Sequence, residues 1–508
     1  MIWAFVLALA FYPGPFGHLA WVALIRPIMI IRRLTGTAAF TAAYFFGFFF
    51  TLFGIYWVAM VTVPGMIAAV VIVAAYYAVI LAMFSRLCRW RPGWGMAALP
   101  FLWVGMEYFR TLSEFAFPWS DLGYTQSYSL NILQIVSVTS VHGLSWLIVL
   151  VNVLLTILVT KTVDPARRVT AFLGAAGVVV ALFLYGWIVI PVHPVPGQYP
   201  VALLQGGVPL DIKWTPGNEM HSFRTYDSLA QSVKHHDPRL YVWPETSVPC
   251  YLSHDETCHV LVRRIVRDAP AYHLVGALGA QVTPQKTRRF NSAYQFAPSG
   301  LLTQRYDKVK LVPFSEHVPY QDHLGFLSQD YLRHYLTFLD RPDVQWWSDF
   351  YPGDSVKIFH TDDAAYGVLI CFESTFPEFS RQLVRMGSEF LVGITNDTWF
   401  GTSVGIHMHS RIFVTRMVEN RSWGVRVANT GLSYVVDEYG RQREALDVCA
   451  AQAIVAKVGR LDSYSVFTQY GDLAGRLSFL ITLSIAGILV TLWLAHKIRS
   501  RFAGQRSS

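Results

Sequence analysis

About eight apolar runs, most of them crowded ahead of residue 194 and the last placed after a long polar stretch, constrain this chain more than any other feature. They are Met1–Phe11, His18–Ile31, Ala38–Met60, Met66–Phe84, Met96–Phe109, Ile135–Thr160, Val169–Val192 and Leu473–Ala495. A bilayer core takes roughly 20 apolar residues per helix, with roughly 17 tolerated, and most of the runs meet that length. The first two are short, and Arg26 interrupts the second. Composition agrees: 53% of the residues are hydrophobic and only 15% charged, whereas soluble domains carry about 25% charge. The 508 residues also exceed what one hydrophobic core organises. The reading is a polytopic α-helical membrane bundle of about eight spans joined to an α/β domain. Residues 1–193 supply seven spans, 194–472 a domain outside the membrane, and 473–508 the last span with a tail.

Charge sets the orientation. Arg32 and Arg33, then Arg86, Arg89 and Arg91, then Lys161, Arg167 and Arg168, then Lys497, Arg499 and Arg501 fall on alternate connections between runs. Loops rich in Lys and Arg stay cytoplasmic. Both termini are therefore expected in the cytoplasm and segment 194–472 on the opposite side. The net charge of +8 is dispersed over these loop clusters, so it does not suggest nucleic acid. Five cysteines at irregular spacing contain no CxxC pair, which argues against a zinc ribbon or a dithiol redox motif. Cys250 and Cys258 both lie in the outer segment, where an oxidising compartment permits a bond that spacing alone does not establish.

Within 194–472 the apolar runs shorten to strand length. Val201–Leu204, Leu240–Val242, His273–Val275, Ala293–Phe296, Gly367–Ile370, Phe390–Ile394 and Ser433–Val436 read as buried strands bounded by turn residues. Met220–His235 and Phe376–Met386 read as amphipathic helices between them. Alternating strands and helices imply an α/β sheet.

Three segments of this domain end a strand-like run on a reactive side chain: Val242-Trp243-Pro244-Glu245, Tyr306-Asp307-Lys308 continuing to Pro313-Phe314-Ser315-Glu316, and Gly367-Val368-Leu369-Ile370-Cys371-Phe372-Glu373. A lone Cys after Val-Leu-Ile is more often a small buried hydrophobe than a nucleophile. A thiol of ordinary acidity is mostly protonated at neutral pH, so a nucleophilic cysteine needs a base and a cation beside it. The other two segments offer both. His407 and His409 form an H-x-H that, on an extended strand, places both rings on one face. No Cys or carboxylate accompanies them at metal-ligand spacing, so no metal is expected.

The WPE, YxKxxLVPFxE and GxxIC[YF]E motifs, in this order, resemble the Glu-Lys-Cys triad of the carbon-nitrogen hydrolase or nitrilase superfamily. The resemblance implies an αββα sandwich, with Glu245 as general base, Lys308 as the cation beside the developing oxyanion and Cys371 as nucleophile. It adds the backbone N–H of Phe372 as an oxyanion donor, with Glu316 and Glu373 in support. Lys308 rather than Lys310 stands eight positions before Glu316, as the family's lysine does. Ser315 replaces the usual Gly of that motif, and Phe372 the common Tyr.

Within the superfamily, a membrane bundle ahead of an external nitrilase-like domain and one final span is similar to the apolipoprotein N-acyltransferase family. Phe117-Pro118-Trp119 with Gly123-Tyr124-Thr125-Gln126, Trp103…Glu107…Arg110, Gln205-Gly206…Lys213-Trp214 and Asn396-Asp397-Thr398-Trp399-Phe400-Gly401 carry that likeness, followed by His409, Arg416, Glu419, Arg426, Asn429 and Gly431. The likeness implies transfer of an acyl chain from a glycerophospholipid, through a cysteine thioester, to the N-terminal amine of a diacylglyceryl-cysteine lipoprotein. It implies no cofactor, a monomer, and a place in the bacterial inner membrane with the catalytic domain in the periplasm. Trp119, Tyr124, Trp214, Trp399 and Phe400 are the candidate substrate contacts. Trp119 and Tyr124 also read as interfacial aromatics, and Glu107 with Arg110 as an ion pair one helical turn apart. The rival reading is a membrane-anchored amidase or nitrilase-type hydrolase with water as acceptor. The number of spans speaks against it.

Overall fold

The computed structural model describes residues 1–504 except 195, 216, 285–286, 322, 328–330 and 332–348; the end of the tail, 505–508, lies outside the described residues. Every apolar run of the sequence is helical, but the lengths divide them. Long helices form at α3 (Gly36–Ile55), α4 (Val63–Trp90), α6 (Val136–Val159), α7 (Pro165–Val189) and α12 (Leu473–Gly504), while α1 covers only Ile2–Leu9, α2 only Ile25–Ile31 and α5 the 18 residues Pro92–Phe109. Five helices among the described residues are long and apolar enough to cross a bilayer, against the eight spans expected. The first two runs fall short because Pro13, Gly14 and Pro15 end α1, and a 3₁₀ turn at Pro15–Trp21 separates it from α2. In α5 the interior Pro100 removes one backbone donor.

Close approach between α5 and α12 relies on one small residue. A Cβ at Gly105 would lie 2.3 Å from Thr482 Oγ1 and 2.8 Å from the Ser478 carbonyl oxygen. Glu107 and Arg110 do not pair with each other as their spacing suggested. Glu107 Oε1 accepts from Trp103 Nε1 and from the Leu122 N–H, each at 2.9 Å, while Arg110 Nη2 donates to Asp121. The loop after α5 folds back over its helix end and places Asp121 nearer the guanidinium.

The outer domain holds two sheets. One orders its strands β13-β1-β2-β4-β5-β6 with β3 on β4, and the other β12-β11-β10-β9-β8-β7. In the first, β1 is Tyr199–Gln205, β2 Leu240–Val242, β3 Val248–Tyr251, β4 Tyr272–Val282, β5 Thr287–Phe296, β6 Leu302–Asp307 and β13 Gln452–Val458. In the second, β7 is Ile358–His360, β8 Ala365–Ile370, β9 Phe390–Thr395, β10 Trp423–Ala428, β11 Tyr434–Val436 and β12 Gln442–Arg443. The runs read as strands fall on β1, β2, β4, β5, β8, β9 and β11.

Strand alternation sorts the side chains into layers. Val201, Leu203, Val242 and Ala293 of the first sheet meet Val368, Ile370, Val392 and Val425 of the second in one core. The alternate residues Ala202, Leu204, Tyr241 and Trp243 pack on helices α8 (Glu219–Val233) and α9 (Glu256–Asp268). On the second sheet the outer residues Leu369, Leu391 and Val436 pack with α10 (Pro377–Arg385) and α11 (Val404–Asn420). The result is an αββα sandwich. That last layer is continuous with the helical bundle, because Trp57, Trp103 and Leu144 belong to the same buried cluster as Phe372, Ile412 and Met417. Cys250 and Cys258 are disulfide-bonded and tie β3 to the first turn of α9.

Candidate active site

Glu245, Lys308 and Cys371 arrive from three strand ends: Glu245 follows β2, Lys308 follows β6 and Cys371 follows β8. Lys308 is buried, and its Nζ donates to Glu316 Oε1 at 2.8 Å and lies 3.4 Å from Glu245 Oε1. Burial alone would depress this ammonium, but Glu316, Glu245 and Cys371 hold its pKa above the ordinary lysine range, so it is a fixed cation. Glu316 Oε2 accepts from the Val312 N–H at 2.9 Å, which sets the carboxylate that orients Lys308.

Cys371 breaks from β8 with φ +51°, a left-handed conformation that costs an L-residue energy and needs support from its surroundings. A 3₁₀ turn, Cys371–Thr375, starts there and turns the thiol toward a cavity of about 710 Å³. Burial pushes the thiol well above its ordinary pKa, the Glu245 carboxylate adds to that, and Lys308 opposes it. The surroundings thus favour the protonated thiol. Its proton must leave as the sulfur attacks, and Glu245 lines the same cavity.

Glu245 is held by three donors. Asn291 Nδ2 donates to Oε1 at 2.6 Å, Lys308 Nζ approaches the same oxygen, and the Asn396 N–H donates to Oε2 at 2.8 Å. Asn291 is a residue that sequence reasoning missed. Nothing in the sequence singles it out, because Ser292 and Gln295 are polar in the same half of β5; only the structure shows that it lines the cavity.

The cavity runs from Cys371, Glu245 and Glu316 to Val58, Val61, Ala69, Ile72 and Tyr76 on and before α4. One end thus carries the polar residues and the other is walled by a helix long and apolar enough to cross a membrane.

Comparison with known proteins follows this division of the chain. Residues 3–154 match the family described as Apolipoprotein N-acyltransferase N-terminal domain, and residues 201–458 match Carbon-nitrogen hydrolase. The Apolipoprotein N-acyltransferase of Geobacter metallireducens is 31% identical over 484 residues, covering 92% of this chain and 90% of that one. The chain belongs to the apolipoprotein N-acyltransferase family. The Chlorobaculum tepidum family member is 28% identical over 527 residues, covering 97% of this chain and 95% of its own. Among solved structures, an amidase of the nitrilase superfamily from Nesterenkonia AN1 is 19% identical and covers 55% of this chain and 96% of that one, with a TM-score of 0.39.

The remaining positions picked out by likeness to this family separate into two groups. Trp119, Trp214, Trp399, Phe400 and Phe372 all line the cavity. Trp119 is buried rather than interfacial, with its ring 4.8 Å from that of Trp57. Trp214 and Trp399 are each 40% exposed, at the open side.

Tyr124 is not among the cavity residues. Its hydroxyl donates to the Thr375 carbonyl at 3.3 Å and accepts from Arg416 Nη2 at 3.0 Å, so it ties the bundle to the turn after Cys371. Glu373 supports the site from behind the two catalytic loops. Its Oε1 accepts from the Tyr306 hydroxyl at 2.6 Å and the Val309 N–H at 2.7 Å, and its Oε2 from the Ile370 N–H at 2.8 Å, joining the Lys308 loop to the Cys371 turn.

His407 and His409 lie on α11, where residues two apart point to nearly opposite sides, and only His409 faces Cys371. Two groups of metal-ligand type come together among the described residues, Glu107/Asp121/His142 and Cys250/Asp255/Cys258. In the first, the Arg110 guanidinium already faces Asp121, and in the second both sulfurs are in the disulfide.

Proposed function

We propose that this chain transfers an acyl chain from a glycerophospholipid to the N-terminal amine of a diacylglyceryl-cysteine lipoprotein, through a thioester on Cys371. The observation that carries the reading is the single cavity that joins Cys371 to the apolar wall of α4. A hydrolase of soluble amides has no use for a reaction chamber continuous with a membrane helix. An acyl donor and acceptor that both keep their chains in lipid require one.

In the first half-reaction, Cys371 Sγ attacks the ester carbonyl while Glu245 takes the thiol proton. The oxyanion forms beside Lys308 and the backbone N–H of Phe372, where preorganised donors act most strongly. Collapse breaks the ester C–O bond, Glu245 returns its proton to the departing oxygen, and a lysophospholipid leaves. In the second, the lipoprotein amine attacks the thioester, Glu245 takes a proton from nitrogen and returns it to sulfur as the C–S bond breaks, giving the amide and the free thiol. Glu316 orients Lys308, and Asn291 orients Glu245. Trp119, Phe400 and Phe372 would flank the acyl chain, with Trp214 and Trp399 at the side from which polar groups enter. The pairs that hold Tyr124 and Glu373 make them positioning residues rather than substrate contacts.

The same reading divides the chain at 1–193, 194–472 and 473–508 and orients it by charge. Arg32 and Arg33 precede α3, Arg86, Arg89 and Arg91 mark the junction of α4 with α5, and Lys161, Arg167 and Arg168 mark that of α6 with α7. With α5 crossing the bilayer as well, these ends would be cytoplasmic, with the catalytic domain periplasmic and the chain acting as a monomer.

The test is intact mass of the purified chain after incubation with phospholipid, beside Cys371→Ser. A hydroxylamine-sensitive gain of one acyl group, discharged by a diacylglyceryl peptide to an amide, is the expected result. An adduct lost equally fast without the peptide would establish the hydrolase instead.

A further inference from the structure

His409 takes no part in the reaction described above, yet it contacts both the nucleophile residue and the wall of the cavity. Its ring is buried. Nδ1 lies 2.9 Å from Asp397 Oδ1 and 3.2 Å from Arg426 Nη2, and these two contacts fix the ring plane. Asp397 is itself locked by Arg426 Nη2 on its second oxygen at 2.7 Å. Burial would raise this carboxyl, but Arg426 and His409 hold it well below the usual carboxylate range, so the anchor is an anion.

On the other side of the ring, Nε2 lies 3.2 Å from the Cys371 carbonyl oxygen and 3.1 Å from Ser374 Oγ. Ser374 Oγ also donates to that same carbonyl, at 2.8 Å. The carbonyl therefore sits in a small polar grip just where the backbone adopts its left-handed turn. The ring also packs against the cavity wall: its centroid is 5.2 Å from that of Trp119 and 6.0 Å from that of Phe400. Trp119 comes from the loop after α5, whereas His409, Asp397 and Cys371 all belong to the outer domain. A chain lying against Trp119 and a sulfur attacking from Cys371 thus share one rigid ring between them.

We propose that His409 is a positioning residue that couples the acyl-chain wall at Trp119 to the turn carrying the nucleophile, so that a long donor chain improves the alignment of Cys371 for attack. This rests on the transferase reading above and adds to it the element that makes chain length matter to the chemical step. Contacts made only through His409 predict a split between binding and rate, because neither of its nitrogens reaches the cavity. His409→Leu keeps the bulk of the ring and removes its contacts with Asp397, Ser374 and the Cys371 carbonyl. His409→Gln retains a donor.

The experiment is single-turnover thioester formation on the full chain in mixed micelles, followed by intact mass, with a long-chain and a short-chain phospholipid donor. His409→Leu is expected to slow the long-chain reaction about tenfold at saturating donor, with KM little changed. The preference for the long chain should disappear, and His409→Gln should recover most of the rate. In a double-mutant cycle, Trp119→Phe should cost at least about threefold less in the His409→Leu background than in the wild type. Additive losses, or an equal slowing of both donors with the preference intact, would overturn the proposal and leave His409 as packing.

Alkylation of Cys371 by iodoacetamide reads the same coupling without any acyl transfer. Trp119→Phe should change that rate in the wild type and not in His409→Leu. A wild type that forms no thioester but shows this alkylation pattern would sink the transferase reading while sustaining the coupling. Equal changes in both backgrounds would sink the coupling alone.

Discussion

Replacing Glu245 by Gln separates the two effects that this carboxylate exerts on Cys371, and they point in opposite directions. Burial and the negative charge of Glu245 both raise the thiol's pKa, while Lys308 lowers it. Glu245→Gln leaves burial and Lys308 in place and removes one upward push, so the thiol's pKa falls and alkylation at neutral pH accelerates. Acyl transfer must slow all the same, because the group that takes the proton is gone; loss of a positioned base costs about 10²–10⁴-fold. Stability also moves by a definable amount. Oε1 faces Asn291 Nδ2 and Lys308 Nζ, and Oε2 faces the Asn396 N–H. Whichever way a Gln amide turns, its NH₂ meets a donor, and a buried donor left without an acceptor costs about 1–3 kcal/mol. The assays are iodoacetamide alkylation against pH and single-turnover acylation, both read by intact mass. An alkylation profile that stays in place or moves to higher pH would show that the thiol does not sense Glu245. Unchanged acylation would show that Glu245 is not the base.

Three further changes test separate parts of the structure. Lys213 is fully buried, and burial, opposed by the charge of Glu245, lowers its pKa from 10.5 to about 7. Between those values the unfolded chain holds a proton that the folded one has lost, so stability rises with pH; the penalty should shrink by roughly 2 kcal/mol from pH 7 to pH 9. Thermal unfolding of Lys213→Met should lack that rise, and a rise of equal size in the variant would refute the assignment. Gly105→Val forces a side chain against the Ser478 carbonyl, 2.8 Å from where its Cβ must lie, and should cost about 1–3 kcal/mol. A thermal midpoint equal to that of the wild type would mean that α12 does not seat against α5 there. Tyr306→Phe removes the 2.6 Å bond to Glu373, a hydrogen bond to a charged group worth about 1.5–3 kcal/mol. It should lower both stability and acylation rate, since the Lys308 loop hangs on Glu373. A stability loss with full activity would separate Glu373 from the site.

What the sequence made legible was set by where each residue stands in its element. Glu245, Lys308 and Cys371 close strands, so the end of an apolar run marks each of them, and their spacing supplies the rest. Asn291 lies within a strand beside Ser292 and Gln295, so neither position nor polarity sets it apart. His409 defeats periodicity for another reason: α11 is buried around nearly its whole circumference, from Ile406 to Asn420, so no apolar stripe distinguishes helix from strand there. The bundle was legible by length. Runs of bilayer length became helices, with a kink at Ser140 inside α6 and a 3₁₀ turn after Ile55, whereas the first two were cut by prolines whose effect on a short apolar run cannot be weighed without its neighbours. Tyr124 was singled out as a substrate contact, yet its hydroxyl meets Thr375 and Arg416, partners more than two hundred positions away that no local pattern reveals.

Those distant partners explain why charge is buried between the bundle and the sandwich at all. His142 on α6 meets Asp472 just before α12. Glu419 on α11 accepts from the Val141 N–H of α6 at 2.8 Å, and Arg421 reaches Gln134 and Ser137 beside α6. Each of these three contacts links a helix of the bundle to a segment of the sandwich or of its junction with the last helix. Apolar packing alone would let the two bodies slide, because one greasy contact replaces another at little cost. A buried charge with a fixed partner behaves differently: removing the partner leaves the charge unsatisfied, at about 1–3 kcal/mol or more for a hydrogen bond and about 3–5 kcal/mol for an ion pair such as His142 with Asp472. The cavity takes Trp119 and α4 from one body and Cys371, Glu245 and Asn291 from the other, and a misplacement of about 1 Å can cost 10²-fold in rate. The polar seam is therefore read best as the device that fixes one wall of the reaction chamber against the other.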